Sequence, residues 1–234
     1  MAHAASRPAE GLALLLAAVL MLAWGSVAAD DAEDELLFKS AALVNEGELH
    51  FLTEPPARPV HHHDNRIIIR DSSLEDGWVE LKQCHTHLDP VPDLQITYRA
   101  GGIRNLRVAL TENVERSWAE ASSVQLRNVG RGAKVCIEAE SRALTRGEDG
   151  SYQLRNGPYM RRFLDGYYPM RVSMRVELAT DQVRFSDASP VAQPGFRLWQ
   201  SGNAVGYEAL FEGRLSTVLR FDPVEPCPHL PGPE

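Results

Sequence analysis

The chain lacks the motifs that would name a reaction outright. It has no G-x-S-x-G elbow, H-E-x-x-H pair, Walker loop, G-x-G-x-x-G or C-x-x-C. That removes the standard nucleophile, zinc-protease, nucleotide and dithiol readings. Carboxylate-pair hydrolases leave no short trace and stay open, but the reading leans away from an enzyme. Positive charge is also scarce: 24 basic residues face 32 acidic ones, for a net charge of −8 over 234 residues. Without a basic surplus, a nucleic-acid backbone would be repelled. Only Lys39, Lys82 and Lys134 are lysine, a bias that points to a GC-rich bacterial source. Cysteines number three and aromatic residues make up 7% of the chain. After the first thirty residues no apolar run is long enough to span a bilayer.

What is present begins with that N-terminus. Arg7 precedes an apolar run from Leu12 to Trp24, and Val27-Ala28-Ala29 then offers a small-residue cleavage site. Residues 1–29 therefore read as a secretory signal removed after Ala29, and the expected location is periplasmic or secreted, with no transmembrane segment left after cleavage. Residues 30–59 read as an acidic leader, then a hairpin or short helix over Glu35 to Thr53, then a linker whose Pro55, Pro56 and Pro59 preclude helix and central strand.

From residue 60 to 221 the dominant period is two. Leu94, Ile96 and Tyr98 alternate with polar residues, as do Leu106, Val108 and Leu110; Val135, Ile137 and Ala139; and Val172, Met174, Val176 and Leu178. Alternation of this kind marks half-buried strands. Weaker runs occur at 66–70, 78–84, 123–129, 183–185, 196–199, 207–211 and 215–221. Glu75-Asp76-Gly77, Gly101-Gly102, Gly130-Arg131-Gly132 and Gly157-Pro158 supply turns. The expected fold is all-β: an antiparallel sandwich, immunoglobulin-like or jelly-roll-like, of about ten short strands. Only Asn113 to Ala121, around Trp118, has a helical look. Residues 222–234 form a proline-rich tail holding Cys227.

Strand parity places Cys84 with Glu80 and Lys82, and Cys136 with Lys134 and Glu138, on polar faces. A Cys84–Cys136 disulfide is therefore expected on an outer face. It would close a loop of about 50 residues and be worth about 3–4 kcal/mol.

Two histidine clusters stand out, His61-His62-His63-Asp64 and Cys84-His85-Thr86-His87-Leu88-Asp89. In extended chain, His-x-His throws both imidazoles to one side, as a site for Cu²⁺ or Zn²⁺ requires. Pairing of strands 66–70 and 78–84 through the Asp71 to Gly77 turn would bring His61, His63, His85 and His87 together. The competing reading is that histidines beside prolines are solvated loop residues.

A last feature is the Arg/aromatic segment 155–175, read as a long irregular loop. Arg155, Tyr159, Arg161, Arg162, Tyr167 and Tyr168 have the composition of interface hot spots. The sequence thus favours an exported non-catalytic sandwich acting by protein–protein contact, or as an accessory to an envelope assembly, with a protein partner in the cell envelope. The alternative is a periplasmic transition-metal-binding protein using the histidines.

Overall fold

The computed structural model describes residues 45–224, all of which belong to one compact unit, Asn45–Glu234. The expected signal peptide and acidic leader, the first arm of the expected N-terminal hairpin or helix, and Cys227 lie outside the described residues.

Alternation becomes strand almost throughout. In chain order the strands are β1 (His50–Phe51), β2 (His62–Arg70), β3 (Trp78–Leu88), β4 (Val91–Thr97), β5 (Ile103–Glu120), β6 (Ser123–Arg142), β7 (Leu144–Arg146), β8 (Tyr152–Tyr159), β9 (Arg162–Phe163), β10 (Gly166–Tyr167), β11 (Met170–Ala179), β12 (Val183–Ser189), β13 (Phe196–Ser201), β14 (Ala204–Glu212) and β15 (Leu215–Pro223). One short helix, α1 (Asp71–Asp76), joins β2 to β3. It ends because Gly77 takes a left-handed φ of 78° and returns its N–H to the Ser73 carbonyl at 3.0 Å. A Cβ there would lie 2.6 Å from the Leu144 carbonyl oxygen, so glycine is required.

Nine strands form one sheet, ordered β1-β14-β11-β2-β3-β6-β4, with β13 also on β14 and β5 also on β6. A second sheet runs β12-β15-β8-β7, and β9 and β10 make a separate ribbon. The two larger sheets enclose the main core. Ile67, Ile69, Leu81, Val172 and Phe211 come from one sheet, and Leu154, Leu215, Leu219 and Phe221 from the other. A second cluster, with Leu126, Val129, Val135 and Ile137, sits toward β4 and β5. Tyr98 packs on both.

Several local expectations are corrected. Asn113 to Ala121 is not helical but the end of the 18-residue β5, where pairing with β6 overrides local propensity. Asn113, at φ 55°, bends the strand through a register shift rather than starting a helix. Gly130-Arg131-Gly132 does not end a strand either. It lies inside the 20-residue β6, where the partner on one edge changes from β4 at Val129 to β3 at Ala133. The sheet is not wholly antiparallel, since β11 runs parallel to β2. His50–Phe51 pairs with β14, and the first arm of the expected hairpin lies outside the described residues. The 155–175 segment is ordered strand and ribbon, not a long loop.

The disulfide joins Cys84 and Cys136, which face each other across β3 and β6. Lys82 and Glu138, the next cross-strand pair on that face, form an ion pair at 3.3 Å. The bridge is therefore on the outer face, as parity requires. No described helix is long and apolar enough to cross a membrane.

Candidate functional site

β2 and β3 pair antiparallel with His63 opposite His85. His61, two residues before His63 in extended chain, falls on the same side. The three rings form a stack, with centroids 4.1 Å apart for His63 and His85 and 5.2 Å for His61 and His85. His63 and His85 are only 9% and 5% exposed, so neither is a solvated loop residue. Tyr159 stands edge-on to His63 at 5.0 Å.

The same buried face carries Asn65 and Gln83, and their bonds set a direction. Asn65 Nδ2 donates to the Ser173 carbonyl at 3.3 Å, which orients its amide and leaves Oδ1 to accept from Gln83 Nε2 at 3.0 Å. Gln83 Oε1 then accepts from the Tyr98 hydroxyl at 2.5 Å and from His85 Nε2 at 3.2 Å. With its proton on Nε2, His85 accepts at Nδ1 from His61 Nε2 at 3.0 Å. Burial favours the neutral rings. Desolvation holds His61 down to about 4 against the opposing charge of Asp89, and holds His63 down to about 3, helped by His61 and His62. His85 lies well below its usual value, again through burial and then through His63 and His61.

His87 does not join the stack. A register shift between His85 and Leu88 puts it at φ 55°, which breaks the alternation the four-histidine arrangement needs. It lines another cavity of about 400 Å³, together with His62, Arg171, Glu208 and the prolines at 55 and 56. His62 Nε2 and Ser173 Oγ share a hydrogen bond at 2.8 Å. The four imidazoles thus do not converge. Those of His61, His63 and His85 lie in planes within 29° of one another, so their in-plane lone pairs do not point at a common centre. Among the described residues no group of three or more His, Cys, Asp or Glu has the arrangement of a metal site.

Asp89, just after β3, links this end of the sheet to the Arg/aromatic segment. Arg161 Nε and Nη2 donate to its two oxygens at 2.9 and 2.7 Å, a bidentate pair with side chains 19% and 33% exposed. Arg161 also lies over Phe163 and Tyr168. Tyr167 is buried, holds Arg162 and Arg214 against its ring and accepts from Arg214 Nε at 2.7 Å. The six expected contact residues therefore separate. Tyr159 and Tyr167 are core, Arg161 is an anchor, and Tyr168 is half-buried with its hydroxyl on Asp165 at 2.5 Å. Arg155 and Arg162 are exposed. Phe163, one of the aromatics of the segment, is exposed, and so are two apolar residues that the sequence reading missed, Met160 and Leu164, the latter completely.

Between the two large sheets lies a cleft of about 570 Å³, with His63, Asn65, Gln83 and Tyr98 on one wall and Asn156, Tyr159 and Thr217 on the other. Gly157, at φ 98°, shapes the second wall; a Cβ there would meet the Leu215 carbonyl oxygen at 2.5 Å.

No family model and no curated protein sequence matches this chain. Among solved structures it is similar to an M1 zinc metallopeptidase mutant from Deinococcus radiodurans bound to a Tyr-Ser-Ala substrate, with TM-score 0.40, 14% identity, and 78% of this chain and 44% of that one covered. A structure of the M1 zinc metallopeptidase from Deinococcus radiodurans without that mutation gives a TM-score of 0.37 at 15% identity over 78% of this chain and 44% of that one. The chain spans less than half the length of either.

Proposed function

We propose that this protein is an exported, non-catalytic β-sandwich that works by contact with another protein, as an accessory to an envelope assembly, and that the β9–β10 ribbon is the contacting element. The observation that carries this reading is the outward display of Met160, Phe163 and Leu164 on a short ribbon whose base is fixed. Isolated apolar residues on a surface are ordinary, but several gathered at one tip mark a contact site. The tip is already ordered: Arg161 is clamped to Asp89, and Phe163 packs edge-on against Tyr168 at 5.4 Å. Order before binding lowers the entropy lost on association. Arg162 beside the tip selects a partner with an apolar pocket and an acidic rim. The hydrogen bond between His61 and His85 supports this reading over the metal-binding alternative, because it spends on each other two of the four nitrogen donors that the metal site would use.

A photoreactive amino acid at Leu164, with a control at the exposed Val191, tests the proposal in whole cells. One protein adduct is expected from position 164, none from 191, and loss of that adduct when Arg162→Glu is added. Adducts of equal yield from both positions, adducts to lipid alone, or no adduct at all would each overturn it.

A further inference from the structure

We infer that the hollow under the segment joining β1 to β2 is a binding site for a small aromatic carboxylate. The inference goes beyond the contact function proposed above and does not depend on it.

In the order of the large sheet, β14 and β11 stand between β1 and β2, so residues 52–61 must cross both strands. Alternation with the buried His63, Val172 and Tyr207 puts His62, Arg171 and Glu208 on the outer face of the sheet. These three line a cavity of about 400 Å³ together with Leu52, Pro55, Pro56 and Pro59, so the crossing is made on that face and leaves space beneath it. The prolines keep the space open. Their rings fix φ and remove N–H donors, so the segment cannot add itself to the sheet or settle on it through backbone hydrogen bonds. A roof already held in shape loses little freedom when a ligand enters. The volume lies toward the lower end of small-molecule sites, with room for a one-ring acid and not for a lipid or an oligosaccharide.

The two sides of the hollow differ in chemistry. Leu52, Pro55, Pro56 and Leu210 make one side apolar, and proline rings pack well against flat aromatic faces. On the other side Glu208 of β14 faces Arg197 of β13, with Arg171 of β11 beside it. Glu208 Oε2 accepts from Arg171 Nη2 at 3.1 Å, and its Oε1 lies 3.1 Å from Arg197 Nη2. Each guanidinium is thus held end-on through one nitrogen, whereas Arg161 meets Asp89 with two. One carboxylate therefore serves two arginines, and Arg58 of the roof brings a third guanidinium to the lining. A second carboxylate beside Glu208 balances this charge and takes up the unused edges of the two forks. His62 is a wall of the site and no part of its charge, because burial and then Arg171 lower its pKa, and its Nε2 shares a hydrogen bond with Ser173 Oγ at 2.8 Å. A ring under the prolines with its acid group between Arg171 and Arg197 matches both sides at once.

The test titrates the purified protein separately with benzoate, benzyl alcohol and acetate, reading the His62 and His87 ring signals and the Gly195 amide by NMR. Benzoate should shift all three in a saturable way. Benzyl alcohol, which lacks the charge, and acetate, which lacks the ring, should each bind about tenfold more weakly or worse. Arg171 and Arg197 are exposed, so the Arg171→Ala, Arg197→Ala double variant keeps its fold and should lose benzoate binding by a similar factor. Arg197→Ala alone, at the more exposed of the two, should lose part of it with less disturbance. If millimolar benzoate moves none of the three signals, the hollow is not such a site. Equal binding of benzyl alcohol overturns the carboxylate assignment, equal binding of acetate overturns the aromatic one, and binding that survives the double variant overturns the role given to the arginines.

Discussion

Where β2 and β3 meet, amides and imidazoles are buried against each other; at the tip of the β9–β10 ribbon, Phe163 and Leu164 stand in water. The two regions invert the usual partition of side chains in opposite senses, and the Asp89–Arg161 ion pair is one link between them. The inner region is stabilised because nearly every polar group has a partner, with the His63 nitrogen as the exception on that wall. The outer region has only Phe163 packed against Tyr168 and Arg161 near its tip, leaves Leu164 wholly in solvent, and depends on its base. One is therefore expected to respond to substitution through stability, and the other through binding.

The largest effect should come from the hub of the inner network. Gln83→Ala deprives Asn65, Tyr98 and His85 of a partner together and should cost about 4 kcal/mol, given about 1–3 kcal/mol for each buried group left unsatisfied. Urea unfolding of variant and wild type measures it, and a loss below 1 kcal/mol would show the network to be open to water. Reducing the Cys84–Cys136 bridge should cost a similar amount, about 4 kcal/mol for a loop of this length, visible as a lower unfolding midpoint in reductant.

Next in size is the junction. Arg161→Glu places a second carboxylate against Asp89 in a half-buried position and should destabilise by about 2–4 kcal/mol, whereas Arg162→Glu, exposed, should change stability by about 0–1 kcal/mol. Arg161 is thus set apart from Arg162 as an anchor of the segment, through its bidentate pair with Asp89. Equal melting temperatures for the two variants would show that the pair anchors nothing.

Acid should separate the regions more gently. Folded His61 and His63 stay neutral down to about 4 and about 3, while in the unfolded chain both take up a proton near 6.5. Between those values the unfolded state binds more protons, so stability falls as pH drops below 6.5 and is unaffected by these groups above about 7. The slope is up to about 1.4 kcal/mol per pH unit for each imidazole. His61→Gln should flatten the curve measured by denaturant titration from pH 7 to 5. The smallest effect on stability belongs to Leu164→Asp, within about 0.5 kcal/mol, although it should abolish the contact that the ribbon makes.

How much of this could be read in the chain depends on how local each cause is. The pairing of β2 with β3 was legible from alternation on both sides of a Gly-ended connection, although that connection is a short helix and not the expected turn, and the outer-face disulfide followed from parity. The same parity places Gln83 and His85 with Val79 and Leu81 on the buried side, a signal available but masked by the habit of reading polar residues as solvated. His87 was misplaced because a single register shift resets parity, and nothing in Cys84-His85-Thr86-His87 announces it. Asp89 and Arg161 are 72 residues apart and meet only through topology. The long β5 and β6 were divided at Asn113 and at Gly130-Arg131-Gly132, because a bulge and a turn share the same residue types.

The order of strands also sets a sequence of events in time. β5 and β6 are joined by a two-residue connection and pair along nearly their whole length, so they can form while the rest of the chain is still searching. The parallel pairing of β2 with β11 brings together residues 111 apart, as His62 and Ser173 are. Loop closure of that length is slow compared with a local hairpin. His63 reaches its final place only when β2 is seated between β3 and β11, and the cleft exists only after β8 and β15 have closed over it. Pulsed hydrogen exchange should find β5 and β6 protected early and β2 late, which makes the cleft a mark of completed folding: a chain halted part-way would show its hairpins but not the space between the sheets.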